Sequence, residues 1–526
     1  MSDRPQTPQP GRRGVLRGAL ATSAALALPA IGGAAAPAFA LSGRPKAGWG
    51  VQAGDVGAHS GLVWVRSDRP ARMVVETSAT DSFKNVTRWR GPLIGPDTDF
   101  TGTTRLRGLP PGEQIHYRVR LADPDDPRRT GEPVEGTFRT ASVSRRDGVK
   151  FLWSGDIAGQ GWGINPDRGG YRVYEDMRAL DPDFFLCSGD NIYADGPILP
   201  SVTLPDGRVW RNVTTEEKSK VAETLGEFRG AFRYNLLDEN LRRFNAQIPT
   251  VTQWDDHEVH NNWYPGQILS DDRYTEKNVD VLSARSLRAF SEYFPVSTLP
   301  PGDADGRVYR VLRQGPLLDV FVLDMRTYRN ANSPGRQTED PTGILGAEQL
   351  AWLKRELSRS RAVWKVIASD MPLGLVVPDG TNFEAVAQGD PGAPLGRELQ
   401  LAELLRHIKH ERITGTLWLT TDVHYTSAQH YEPSNAAFKD FEPFWEFVSG
   451  PLAAGGFKAL KLDGTFGPRQ AFVKAPDRNN TSPAETPPYF GEVEIDGGSG
   501  ELTVRLRQEG GDVLFSQTLQ PGRVGQ

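Results

Sequence analysis

Four short segments of this 526-residue chain set hard oxygen and imidazole donors where apolar runs end. They are Ser154-Gly155-Asp156, Ser188-Gly189-Asp190-Asn191-Ile192-Tyr193, Trp254-Asp255-Asp256-His257-Glu258 and Thr420-Thr421-Asp422-Val423-His424. Carboxylates gathered without partners repel one another, and cations relieve that repulsion while acting as Lewis acids. The chain has eight histidines and a single cysteine, Cys187, so a cysteine-cluster zinc site and an intramolecular disulfide are both excluded. A donor set of carboxylate, amide and phenolate oxygens favours calcium, manganese or ferric iron over an all-histidine zinc site. The chemistry these residues suit is metal-assisted.

Each segment needs an element to aim it. Residues 149–153, 183–187, 248–252 and 416–419 read as strands, with a crossover helix over 171–180. Further strands are expected at 318–323 and 363–367, and helices near 281–293, 346–358 and 396–409, which together predict a layered α/β fold. In an open α/β sheet the carboxyl ends of the strands line the ligand crevice, so the four segments should converge. The same rule makes Asp370, after the strand at 363–367, a candidate ligand. Asn261 and Asn262 either support a cation through their amide oxygens or shape the turn and orient other ligands.

The flanking regions have a different rhythm. From 46 to 142, short alternating strands separated by turn residues predict a β-sandwich. There Leu109-Pro110-Pro111-Gly112 followed by Tyr117 resembles the turn and tyrosine corner of a fibronectin-type module. Residues 489–519 alternate again and are expected to complete a sheet. The predicted organisation is a leader over 1–40, a sandwich over 46–142, a catalytic domain over 149–460 and a C-terminal β extension over 461–526.

Arg12-Arg13-Gly14-Val15-Leu16-Arg17, the mild apolar run to Leu28 and the small residues ending Ala38-Phe39-Ala40 form a twin-arginine signal pattern, with cleavage expected after Ala40. Its partner would be the twin-arginine export machinery, delivering the chain to the periplasm or the exterior. No later stretch reaches the roughly 18–20 apolar residues of a membrane-spanning helix, so no transmembrane anchor is expected. The formal charge is −5; losing Asp3, Arg4, Arg12, Arg13 and Arg17 with the leader takes it to −8, which argues against a stable nucleic-acid partner.

The motifs Gly189-Asp190-x-x-Tyr193, Trp254-Asp255-Asp256-His257-Glu258-Val259-x-Asn261-Asn262 and Asp422-Val423-His424 resemble those of PhoD-type alkaline phosphatases, within the calcineurin-like metallophosphoesterases. Similar segments follow in family order: Val322-Leu323-Asp324-Met325-Arg326-Thr327-Tyr328-Arg329, Leu345-Gly346-x-x-Gln349-x-x-Trp352-Leu353 and Phe447-Val448-Ser449-Gly450-Pro451-Leu452. The resemblance implies a four-layer α/β/β/α domain that hydrolyses phosphate mono- or diesters. It also implies a ferric iron and a calcium, with another divalent ion possible at the second position.

By the same resemblance, Asp190 bridges the two metals, and Tyr193 as phenolate and His424 bind the first. Asp256 and Asp422 bind the second, Asp422 sharing a face with His424 if the strand stays extended. His257 protonates the leaving oxygen, and a metal-bridging hydroxide attacks phosphorus. The sequence departs from the family pattern after the first strand, where Asp156 stands in the place of a cysteine iron ligand. Two other readings accompany this one: a PhoD-like phospholipase D acting on lipid diesters, and a noncatalytic surface-binding protein with a structural metal site.

Overall fold

The structure, a computed structural model, describes residues 43–299 and 306–522. The export signal expected over residues 1–40 lies outside them. No helix among the described residues is long and apolar enough to cross a membrane.

Two large mixed sheets stack face to face. In the first, the strands Val149–Ser154, Phe184–Ser188 and Thr250–Gln253 are parallel neighbours. In the second, Leu318–Val322, Trp364–Ala368 and Thr416–Thr420 are parallel neighbours as well. All six strands are almost wholly buried; five are mainly apolar runs, as burial on both faces requires, and the sixth, Thr250–Gln253, buries threonines and a glutamine. Between the sheets Phe151, Trp153, Phe184, Leu186 and Val251 meet Val320, Val322, Val366, Leu417 and Leu419. Each such side chain contributes about 1.5–3 kcal/mol by leaving water.

Alternation sends the intervening residues outward to helices. Leu152, Phe185 and Cys187 pack under the helices Val173–Ala179 and Glu239–Gln247 through Tyr174, Met177 and Phe244. Phe321, Ile367 and Trp418 pack under Gly346–Arg359 and Glu398–His410 through Leu353, Leu357, Leu404 and Leu405. The result is the expected four-layer α/β/β/α arrangement. The C-terminal strand Tyr489–Ile495 pairs antiparallel with Val149–Ser154, and Leu502–Gln508 and Val513–Leu519 extend that edge.

The N-terminal region is a two-sheet sandwich. Val51, Ala53, Val63 and Val65 from one sheet pack on Met73, Val75, Tyr117, Val119 and Leu121 from the other. The tyrosine corner is not formed: the buried Tyr117 hydroxyl has no hydrogen-bond partner, and its ring packs beside Phe138 at 5.8 Å between centroids. The ring lies over Gly136, where a Cβ would overlap it, so the side chain is placed by packing rather than by its hydroxyl.

This sandwich is fused to the first large sheet. Its strand Val51–Gly54 runs parallel to Thr250–Gln253, with Gly54 paired to Thr250. Immediately after it, Asp55 receives two hydrogen bonds of 2.8 Å from the buried Arg310, whose guanidinium also donates to the Thr252 carbonyl. The strand that leads into Asp255 and Asp256 is therefore held from the N-terminal side as well as by its catalytic-sheet neighbour.

Candidate metal centre

Six strand ends, three from each sheet, meet at one edge of the interface. The first sheet delivers Asp156, Asp190 and the pair Asp255-Asp256; the second delivers Arg326, Asp370 and the pair Asp422, His424. Backbone φ is positive at Asp156 (65°), Asp190 (48°), Asp422 (72°) and His424 (59°), so the chain turns sharply as it leaves three of the six strands. Non-glycine residues enter this region at a cost of about 1–3 kcal/mol, and such strain concentrates at functional sites.

Ligand atoms of Asp156, Asp190 and His424 lie within 4.8 Å of one another; so do those of Asp190, Asp256 and His257, and those of Asp255, Asp256 and Asp422. Asp190 belongs to two of these groups and sits between the two halves of the site. In the first half, His424 Nδ1 donates to the Gly455 carbonyl at 2.6 Å. That leaves the Nε2 lone pair facing inward, 2.9 Å from the Tyr193 hydroxyl and 3.4 Å from Asp156. Burial lowers His424 to about 4, so the ring is neutral, as a ligand must be. Thr421 Oγ1 donates to Asp156 Oδ2 at 2.8 Å, leaving Oδ1 without a partner. A Cβ at Gly450 would collide with Asp156, and one at Gly159 with the Tyr193 ring.

The strand does not stay extended from Asp422 to His424, which corrects the shared-face expectation. The two positive-φ residues send their side chains to different groups, Asp422 to the second half and His424 to the first.

The second half offers only oxygens. Asp255 Oδ2, Asp256 Oδ1 and both oxygens of Asp370 are buried without hydrogen-bond partners. Arg326, fully buried, lies 2.5 Å from Asp255, 3.7 Å from Asp256 and 3.9 Å from both Asp370 and Asp422. Asp370 touches this cluster but is in none of the converging groups. The Asn261 side chain is exposed and its backbone N–H bonds Asp195; Asn262 donates its backbone N–H to Asp256 and its side-chain amide to Asp379. Both asparagines shape the turn around Asp256.

The electrostatics show what the site is built for. Burial and the surrounding carboxylates push Asp190 and Asp422 well above the ordinary carboxylate range, and Asp156 to about 7. Burial and the charges of Asp190 and Asp156 likewise push the Tyr193 phenol well up. Such a cluster holds protons unless cations take their place. The orphaned oxygens, the inward imidazole and the oxygen-rich set fit two cations, one in each half.

Sequence reading assigned no role to four neighbours. Asp195 accepts from His257 Nδ1 at 2.8 Å and from the Asn261 N–H at 2.9 Å. Burial opposes the His257 imidazolium, yet Asp195 and Asp256 outweigh it and raise the group to about 10. Glu258 accepts from the N–H groups of Asp190, Asn191 and Asp255, tying two strand-end turns together. Lys218 is buried and donates to the carbonyls of Tyr193 and Gly196 at 2.5 and 2.7 Å, fastening the turn that carries Tyr193. Arg326 was legible by the rule that pointed to Asp370, since it too follows a strand of the second sheet.

The profile described as PhoD-like phosphatase matches residues 151–506, and that of the PhoD-like phosphatase N-terminal domain matches residues 33–142. The chain belongs to the PhoD-like phosphatase family. The family resemblance read from the motifs is thus borne out, and membership makes the chain a phosphoric ester hydrolase. It is 27% identical over 445 residues to alkaline phosphatase D of Bacillus subtilis, covering 78% of this chain and 70% of the relative. The fold is similar to the solved structure of PhoD, with a TM-score of 0.68 at 21% identity over 92% of this chain and 90% of that one. It is also similar to a purple acid phosphatase from yellow lupin seeds, with a TM-score of 0.57 at 13% identity over 91% and 74% of the two chains.

Proposed function

We propose that this PhoD-like phosphatase is an exported alkaline phosphatase/phosphodiesterase that hydrolyses phosphate esters with two cations held on either side of Asp190. The observation that carries the reading is the position of Asp190, which groups with Asp156 and His424 on one side and reaches within 4.8 Å of Asp256, itself grouped with Asp255 and Asp422, on the other. Asp156, Tyr193 and His424 would hold ferric iron beside Asp190; Asp256 and Asp422 would hold calcium or another divalent ion. Bound there, the pair supplies Lewis-acid polarisation of the phosphoryl oxygens and a nucleophile from water near neutral pH.

The protein's own groups do the rest. Asp190, on its strained turn, fixes the spacing of the two halves. Its Oδ1 accepts the His257 N–H at 3.1 Å, which sets His257 beside the reacting phosphoryl group. Asp195 engages His257 Nδ1, so Nε2 presents the proton that the leaving oxygen requires. The Tyr193 ring stacks on the imidazole, with centroids 4.1 Å apart, and limits its rotation. Export rests on the twin-arginine pattern at Arg12-Arg13 and the small residues ending at Ala40.

The deciding experiment is metal stoichiometry of mature protein purified from the exported fraction, alongside turnover of monoester, diester and choline-phospholipid substrates. One iron and one divalent ion per chain with release of phosphate or a phosphomonoester is expected. Full activity without bound metal overturns the reading, and choline release from lipid as the main activity transfers it to a phospholipase D. Turnover retained in folded Asp190→Ala and His257→Ala variants would remove the catalytic assignment.

A further inference from the structure

The oxygen-only half of the site already contains a positive charge. Arg326 has no exposed surface, and its guanidinium faces Asp255, Asp256, Asp370 and Asp422 at 2.5–3.9 Å, with Glu384 at 2.5 Å on another nitrogen. Its backbone is clamped. Asp324 accepts the N–H groups of Arg326 and Thr327 at 3.1 and 2.9 Å and the Thr327 hydroxyl at 2.7 Å, while Gln349 accepts the Asp324 N–H at 2.9 Å. The arginine therefore cannot easily withdraw. Its approach to Asp256 and Asp422, at 3.7 and 3.9 Å, is attraction without hydrogen bonding, and Asp256 Oδ1 remains without a partner. The guanidinium gathers these ligands but does not saturate them.

We propose that Arg326 is a built-in cation of this half: it holds Asp255, Asp256 and Asp422 together when the divalent ion leaves, and weakens that ion's binding so that it stays exchangeable. Two fixed consequences follow from charge alone. A divalent ion held among these carboxylates would share a water-poor interior with the guanidinium that contacts the same side chains, and like charges there repel strongly. Without that ion the crowded carboxylates would repel one another and the cluster would open, and the guanidinium among them opposes this. Arg326 is thus a positioning residue, acting on the ion through its ligands. The inference rests on the two-cation reading above.

The test is calcium titration of full mature protein treated with a calcium-selective chelator, comparing wild type with Arg326→Gln, Arg326→Met and Glu384→Gln. Calorimetry reads the affinity and thermal unfolding reads the metal-free state. Both Arg326 variants should bind calcium about ten- to a hundredfold more tightly than wild type. Their metal-free forms should unfold at lower temperature, with the gap closing as calcium is added. Glu384→Gln should bind about threefold or more weakly, because it removes the carboxylate that shares the arginine's charge.

General structural damage would weaken binding in all three, so the opposite signs separate the proposal from a merely structural role. Protein purified in calcium gives access to a variant that folds poorly without it, and either Arg326 variant suffices. Calcium affinity unchanged or lowered in a folded Arg326 variant overturns the proposal while leaving the two-cation reading intact. No uptake of calcium by wild type overturns the calcium assignment and this inference together.

Discussion

The two halves of the metal centre solve the same electrostatic problem in different ways. The first mixes donor types: a carboxylate steadied by Thr421, a neutral imidazole fixed through Gly455, and a buried phenol. The second uses carboxylates alone and tempers them with an internal guanidinium. Mixed nitrogen, phenolate and carboxylate donors suit a tightly held, strongly Lewis-acidic ion, whereas all-oxygen sets suit calcium or manganese and permit exchange. The difference teaches that one edge of a pair of stacked sheets can bring together two donor sets of unlike chemistry, one mixed and one of carboxylates around a guanidinium. Asp190, common to both, should make them interdependent.

The largest effect expected is at that shared residue. Asp190→Asn should lower turnover by at least about a thousandfold and remove metal from both halves, as read by elemental analysis. Loss from one half only would show that the halves are independent. Next, His257→Asn should lower kcat by about a hundred- to a thousandfold for esters with poor leaving groups, yet much less for nitrophenyl esters, with metal content unchanged. An equal loss on both substrate types would mean that His257 positions phosphate rather than supplying a proton.

Tyr193→Phe should be confined to the first half. It should abolish any visible tyrosinate–iron absorption and weaken iron retention by about ten- to a hundredfold while leaving calcium affinity in place. A visible band that survives the substitution would place the phenol outside the first ion's shell.

The smallest effect should be on stability against pH. Asp156 is raised to about 7 in the metal-free fold from an ordinary 3.8, so its contribution is complete below pH 4 and is lost as pH rises through 7. His424, lowered to about 4 from 6.5, contributes stability that is complete above 6.5 and is lost as pH falls through 4. Between pH 4 and 6.5 these two slopes oppose and cancel, but Glu258, pushed up to about 8 by burial, loses its contribution as pH rises through that value, so thermal unfolding of chelated protein should show a declining midpoint from pH 5 to 8 that an Asp156→Asn variant makes shallower. Added cations should reverse the slope, because they favour the ionised carboxylates. A chelated wild-type midpoint that rises over this interval would mean that other groups dominate.

Much of this was legible in the residue order. Apolar runs ending in Gly-Asp, Asp-Asp-His and Asp-Val-His announced both the strands and their chemistry, because a buried parallel strand is a continuous apolar word and its carboxyl end is where ligands collect. Asp195 was not legible as the partner of His257, since their pairing depends on how two loops 62 residues apart fold back on each other. Lys218 was invisible for a similar reason: a lysine in a long excursion reads as solvated surface until the excursion closes over it. Tyr117 shows the converse error, a familiar local spacing whose expected hydrogen bond is absent.

Composition and order alone determined the class of chemistry, the layered α/β plan and the identity of most side chains that converge at the candidate site, because donor type and apolar periodicity are properties of the chain itself. Only the tertiary structure decided that the N-terminal sandwich shares a sheet with the catalytic strands, that Asp422 and His424 serve opposite halves, and that Arg326 stands among the acids. Those outcomes depend on strand pairing and on left-handed turns between residues far apart or newly bent, and the energies that select them arise when distant surfaces meet.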